Sequence, residues 1–150
     1  MKDHIRDYST EAFRFYARWG NKEIYIQNLL LDLQKNKAVG FGSPTESALI
    51  HKEMIMREYA AEIADLEAVE MVLRICGPNI KKALNYIYFE DPDKDLQWGD
   101  IKRRVHHAEI YIPASERQIY YWLKKARYMF AEERGLRIKK FAVTKANVLV

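Results

Sequence analysis

Cysteine is almost absent from this 150-residue sequence, because Cys76 is the only one. An intrachain disulfide and a zinc site built from several thiolates are therefore excluded within these residues. Long apolar runs are also missing, so we expect no membrane-spanning segment. The first ten residues, MKDHIRDYST, contain acidic residues and no apolar block, which is not the pattern of a signal peptide. These features together predict a cytoplasmic protein.

The common sequence motifs of enzymes are missing as well. There is no glycine-rich phosphate loop and no nucleophile elbow. The acidic segment 90–98 lacks the glycine and the glutamate that a calcium loop requires. His106 and His107 are adjacent, so on a helix they point about 100° apart and do not easily share one metal ion. The sequence therefore predicts no catalysis, no cofactor and no metal.

Positive charge is concentrated toward the C-terminus. Residues 1–75 carry 10 Lys and Arg against 12 Asp and Glu, whereas residues 101–150 carry 12 against 4. Such an asymmetry indicates a polyanionic partner for the basic end of the chain. A solvated basic surface without a partner is the alternative that charge alone leaves open.

Helical periodicity of apolar residues predicts an all-α fold. Apolar residues recur every three or four positions in residues 3–19, with Ile5, Tyr8, Ala12, Phe15, Tyr16 and Trp19 on one side, and again in residues 22–35. After a glycine-containing loop, Ser43, Pro44 and Glu46 form a capping box with proline at the first helical position. No breaker follows before Gly77 and Pro78, so one long helix over residues 44–76 is predicted. A kink or break within it is the alternative, because about 50 Å exceeds the diameter of a small domain.

The long helix carries a near-heptad apolar stripe, formed by Leu49, Met56, Tyr59, Ile63, Leu66, Val69 and Leu73. Such a stripe must be buried. Packing against the first two helices and formation of a homodimer seam are both open interpretations. A shorter helix over residues 78–89 follows, with Ile80, Ala83, Leu84, Ile87 and Tyr88 predicted to face inward.

Residues 99–135 have the pattern of a helix-turn-helix. A first helix over residues 100–108 is followed by a turn in which Ile110 and Ile112 are predicted to fill the gap between the helices. Ser115 then caps a second helix, with Gln118 three positions later, and Gly135 ends it. One side of the second helix is an apolar stripe of Ile119, Trp122, Leu123, Ala126 and Phe130.

The opposite side of the second helix is basic and aromatic, which is typical of a helix that reads the major groove of DNA. Arginine binds guanine in a bidentate manner, while lysine, tyrosine and the helix N-terminus bind phosphate. The first helix offers further bases for phosphate contacts. The predicted DNA-binding residues are Lys102, Arg103, Arg104, Ser115, Glu116, Arg117, Tyr120, Tyr121, Lys124, Lys125 and Arg127.

These elements divide the chain into three predicted parts. Residues 1–76 form a helical part for dimerisation or partner binding, and residues 77–136 form the DNA-binding domain. Residues 137–150 form a tail of mixed basic and apolar residues. An edge strand, a minor-groove arm and a partner peptide are all open interpretations of the tail.

The segments GDIKRRV, IPASERQ and IYYWLKKARYMFAEERGL, following a helix and an acidic loop, resemble the fourth-region domain of sigma factors. More closely, they resemble phage-type late transcription regulators of the RinA and ArpU kind. The resemblance covers residues 78–136, and the opening IRDYSTEAFRFYARWG is also similar to phage-encoded proteins of this group. It implies binding to a promoter or operator and contact with RNA polymerase. It also places Ser115, Glu116, Arg117, Tyr120, Tyr121 and Lys124 at recognition-helix positions.

The sequence thus predicts a sequence-specific regulator that binds double-stranded DNA and forms a homodimer through the 44–76 helix. Small subunits of phage packaging terminases also join a helix-turn-helix to helical assembly segments, and they are one alternative. A helical protein-interaction module that never binds DNA is the other.

Overall fold

The computed structural model describes residues 3–36 and 44–136, and these residues form helices and no strand. The helices are α1 (His4–Trp19), α2 (Lys22–Asn36), α3 (Pro44–Glu58), α4 (Ala60–Ile75), α5 (Pro78–Ile87), α6 (Trp98–Ala108) and α7 (Glu116–Arg134). The all-α prediction is confirmed. None of these helices combines the length and the apolar character needed to cross a membrane. The predicted cap at Ser43 and the tail 137–150 lie outside the described residues.

Helix α7 is central to the larger hydrophobic core, and α1, α4, α5 and α6 pack against it. The predicted stripe on α7 is buried at Ile119, Leu123, Ala126 and Phe130, and half-buried at Trp122. Burial of one large apolar side chain contributes about 1.5–3 kcal/mol. The stripe therefore fixes which side of α7 faces outward.

The boundary predicted between residues 76 and 77 passes through this core. Phe13 of α1, Val69 and Val72 of α4 and Leu84 of α5 are all fully buried in it. Gly77 has φ +86, a left-handed conformation that glycine adopts without strain, and it makes the turn from α4 into α5. The described residues on both sides of the boundary thus share one set of packed side chains.

A smaller core joins α2 and α3 to α4. It contains Tyr25, Ile26, Ile55, Ile63 and Leu66, with the three leucines of α2 packed partly buried against it. The rings of Tyr25 and Tyr59 meet edge to face, with centroids 6.2 Å apart. The α2–α3 hairpin is therefore held against α4 by aromatic and branched aliphatic side chains.

The single long helix predicted for residues 44–76 is wrong, because the chain bends at Tyr59 and forms α3 and α4. Tyr59 has φ −109 and ψ 28, outside the helical region. The backbone hydrogen bonds across the bend survive, since Tyr59 N donates to Ile55 O and Ile63 N to Tyr59 O, both at 2.9 Å. The bend lets α3 pack on α2 while α4 packs on α1 and α7.

The bend also divides the predicted stripe. Ile63, Leu66 and Val69 are buried, which confirms intrachain packing for the α4 portion. Leu49 and Met56 on α3 remain 60% and 42% exposed. The apolar surface available for a partner is thus confined to α3.

The face that α1 buries differs from the predicted one. Its buried residues are Ser9, Ala12, Phe13 and Arg14, whereas Tyr8 and Trp19 are exposed. Arg14 is 2% exposed, and its guanidinium donates to the carbonyl oxygens of Tyr88 (2.7 Å), Glu90 (2.9 Å), Asp91 (3.0 Å) and Lys94. Burial lowers the pKa of Arg14, and the nearby Arg104 lowers it further. This single side chain therefore orders the loop that leads into α6.

The C-terminal half of α7 is tied to α4 and α1 by a polar cluster. Arg134 Nε donates to Asp65 Oδ1 at 2.7 Å, and the Tyr8 hydroxyl donates to the same carboxylate at 2.8 Å. The hydrogen bond from Arg134 is charge-assisted, which makes it stronger than one between neutral groups. Together with the buried stripe, this cluster fixes the rotation of α7 about its own axis.

Candidate nucleic-acid interface

The α6–turn–α7 unit forms because each helix has a defined start. The Gln97 backbone N–H donates to Asp100 Oδ2 at 3.0 Å, and the Ser115 hydroxyl accepts from Gln118 N at 3.2 Å. These contacts satisfy amides that helix starts otherwise leave unpaired. Gly135 ends α7 in the left-handed conformation (φ 78), as predicted. The first helix begins at Trp98, two residues before its predicted start.

The turn between α6 and α7 is anchored by Ile112, which is 1% exposed as predicted. The same prediction is wrong for Ile110, which is 72% exposed. The backbone carbonyl of Ala108 accepts from both Tyr111 N and Ile112 N, which tightens the chain so that only Ile112 points inward. The Tyr111 ring instead stacks on Tyr86, with centroids 5.8 Å apart and planes 7° apart.

One side of α7 presents an exposed basic and aromatic surface, formed by Arg117, Tyr121, Lys124 and Lys125. These residues are spaced by four, three and one positions, so they share one side of the helix, opposite the buried stripe. Lys124 Nζ lies 6.0 Å from the centroid of the Tyr128 ring. We call this surface the α7 outer face. Its charge and rings are suited to phosphates and base edges.

Three of the predicted contact residues are committed to the protein interior. Arg104 Nη1 donates to Ile87 O at 2.8 Å and to Glu90 O at 2.7 Å. Arg127 Nη1 donates to the Tyr88 hydroxyl at 2.8 Å. Tyr120 is half-buried beside Trp98, with ring centroids 6.1 Å apart. These three residues position the helices rather than extend the α7 outer face.

The remaining predicted residues lie on α6 and at the start of α7. Lys102 and Arg103 are exposed and line an open groove of about 920 Å³ together with Arg104, His107 and Glu116. Arg103 is paired with Asp100, and Lys94 Nζ also lies 3.3 Å from that carboxylate. The Gln97 amide and these cations hold the pKa of Asp100 below its usual value. Ser115 acts as the α7 cap, with its side chain accepting a backbone hydrogen bond.

Glu116, the first residue of α7, contacts His106 rather than standing free. His106 Nδ1 lies 3.0 Å from Glu116 Oε2 and 3.7 Å from Glu109 Oε1. The hydrogen bond and the charge of Glu116 raise the pKa of His106. Sequence spacing missed this cluster, because it was searched within one helix while the turn supplies the third side chain. The i, i+3 pair His106 and Glu109, followed by an acidic first residue of α7, was the available signal.

No family model, curated protein or solved structure matches this chain. The similarity to sigma-factor region four and to phage late regulators stays a prediction from the sequence.

Proposed function

We propose that the protein is a sequence-specific regulator of transcription that binds double-stranded DNA, of the phage type that its sequence resembles. Helix α7 enters the major groove, and α6 lies across the backbone. One observation carries the proposal: Arg117, Tyr121, Lys124 and Lys125 are exposed together on one side of a helix whose other side is buried in the core. A helix presented in this way offers base-reading and phosphate-binding groups on a rigid support.

The roles follow from the chemistry of each side chain. Arg117, in the first turn of α7, reads a guanine through its bidentate donors. Lys124 and Lys125 bind phosphates, and the Tyr121 ring contacts a thymine methyl group or a sugar. Lys102 and Arg103 of α6 add backbone contacts that set the register. A cytoplasmic location and contact with RNA polymerase complete the proposal, on the strength of the sequence resemblance.

Replacement of Arg117 by alanine tests this assignment. Loss of a bidentate guanine contact costs about 1–3 kcal/mol on the cognate site and relaxes specificity at that position. Fluorescence anisotropy with a selected duplex and with single-base variants of it measures both effects. Arg74→Ala, at an exposed site on α4, is the matched control and leaves binding unchanged. The recognition role of α7 is refuted if neither Arg117→Ala nor Lys124→Ala weakens binding.

A homodimer seam on α3 is the second part of the proposal. Leu49 and Met56 are exposed on one side of α3, and Lys52 and Glu53 lie between them in a shared hollow. In an antiparallel pairing about a two-fold axis between residues 52 and 53, Leu49 meets Met56 of the second copy. Lys52 then meets Glu53 of that copy. Apolar and charged positions are thus self-complementary, as an isologous interface requires.

Met56→Glu is expected to convert the dimer to a monomer. The substitution sets a carboxylate against Leu49 of the second copy, and burying an unpaired charge is costly. Multi-angle light scattering measures the mass in solution. Arg74→Glu, an exposed change on α4, serves as the control for added negative charge. A wild-type monomer, or a dimer that survives Met56→Glu, contradicts the α3 seam.

A further inference from the structure

Three side chains that bind metals well converge where α6 ends and α7 begins. They are His106 in the last turn of α6, Glu109 immediately after α6 and Glu116 at the start of α7. Each offers one ligand atom, and all three atoms lie within 4.8 Å of one another. We call this set the His–Glu–Glu cluster. It draws on two helices, so it is a product of the fold and not of one helix face.

The separations within the cluster fit a small divalent cation. Tetrahedral zinc with bonds near 2.0–2.2 Å places its ligand atoms about 3.3–3.5 Å apart. The distances from His106 Nδ1 to the two carboxylates, 3.0 Å and 3.7 Å, lie on either side of that value. Small rotations of exposed side chains make up the difference. With three protein ligands, the fourth position is left to water.

The donor set distinguishes between metals. Imidazole nitrogen is a preferred ligand of zinc and its transition-metal neighbours, whereas calcium and magnesium take oxygen ligands almost alone. Two carboxylates that point at one spot also repel each other, and a divalent cation between them relieves this repulsion. The chemistry of the cluster therefore favours Zn²⁺.

We propose that His106, Glu109 and Glu116 form a zinc site that links the end of α6 to the start of α7. The bound ion fixes the turn at its two ends, while Ile112 fixes it from within the core. It also offsets the negative charge of Glu116 beside Arg117. The zinc site stands on the cluster geometry and does not depend on whether the protein binds DNA.

Calorimetric titration of the full-length chain with Zn²⁺ alone tests the site. Wild-type protein is expected to bind one equivalent at this site. His106→Ala and Glu116→Gln lower the affinity at least about tenfold, because even changes behind a metal ligand cost 10- to 100-fold. His107→Ala is the matched control, since its imidazole is adjacent in sequence but packs beside the Tyr111 ring, with centroids 5.4 Å apart.

Thermal unfolding gives a second, independent readout. Zinc raises the melting temperature of wild-type protein and of His107→Ala, because a ligand that binds only the folded state stabilises it. It does not raise that of His106→Ala. The His106 side chain is 78% exposed, so its removal leaves the apo fold intact, which circular dichroism checks. Absence of zinc binding to the wild type, or wild-type affinity in His106→Ala, overturns the proposal.

Discussion

Replacement of Arg14 by methionine is expected to lower the free energy of unfolding by about 3–5 kcal/mol, as when one partner of a buried charged pair is removed. The Arg14 guanidinium donates to four backbone carbonyls between Tyr88 and Lys94. Methionine keeps much of the side-chain volume but donates no hydrogen bond. The carbonyl groups then lose their partner, and each that stays buried costs about 1–3 kcal/mol.

Urea unfolding followed by circular dichroism measures this loss. Arg18→Met is the matched control on the same helix, because the Arg18 guanidinium is exposed and makes only long contacts with Pro92 O (3.3 Å) and Asp93 (3.8 Å). We expect the control to change stability by about 0.5 kcal/mol or less. An Arg14→Met protein as stable as the control would show that the loop does not depend on this side chain.

The loop that Arg14 orders also positions the candidate interface. Glu90 O accepts from Arg104 of α6 as well as from Arg14, and the loop ends at Gln97, where α6 begins. Arg14 and Arg104 therefore connect α1 to α6 through backbone carbonyls. Partial unfolding of this loop is expected to displace α6 and weaken DNA binding, although neither Arg14 nor Arg104 faces the DNA.

Reversal of charge at Lys124 and Lys125 is expected to weaken DNA binding by at least about a hundredfold, since like charges set against each other cost several kcal/mol. Both lysines lie on the α7 outer face. Loss of two phosphate contacts is also expected to reduce the slope of log K against log salt by about 2. Fluorescence anisotropy on an arbitrary duplex, across a salt series, measures both quantities.

The control for this experiment is the double substitution Lys81→Glu and Lys82→Glu. It makes the same change in net charge at two adjacent exposed lysines on α5. If binding depended only on net charge, the two double variants would weaken it equally. The account predicts that the α7 variant loses far more affinity than the α5 variant. Equal losses would contradict a specific role for the α7 outer face.

The helices that the sequence predicted well are those with explicit signals in their own residues. Ser115 and Gly135 bound α7, and a repeated apolar spacing fixes its buried side. The bend at Tyr59 had no such signal, because neither glycine nor proline lies near it. Packing of α3 on α2 and of α4 on α7 determines the bend, and these contacts join residues far apart in sequence.

The candidate site was predictable only in part for the same reason. Spacing identified the exposed side of α7 but not Arg104 and Arg127 as interior residues, since their partners are carbonyl oxygens and one tyrosine hydroxyl. Arg14 was missed because its partners are carbonyl oxygens too, and every residue carries one. Glu116 was assigned to DNA, whereas its contact with His106 depends on the path of the turn.

Selection from a pool of random duplexes, followed by sequencing of the retained fraction, tests the central claim most directly. The account predicts tight binding with a steep salt dependence and an enriched motif, with two-fold symmetry from the α3 dimer. It also predicts that the Lys124→Glu, Lys125→Glu protein retains no motif. Salt-dependent binding without a motif would favour the packaging alternative, and no binding at low salt would favour the protein-interaction module. Either result would contradict a sequence-specific regulator.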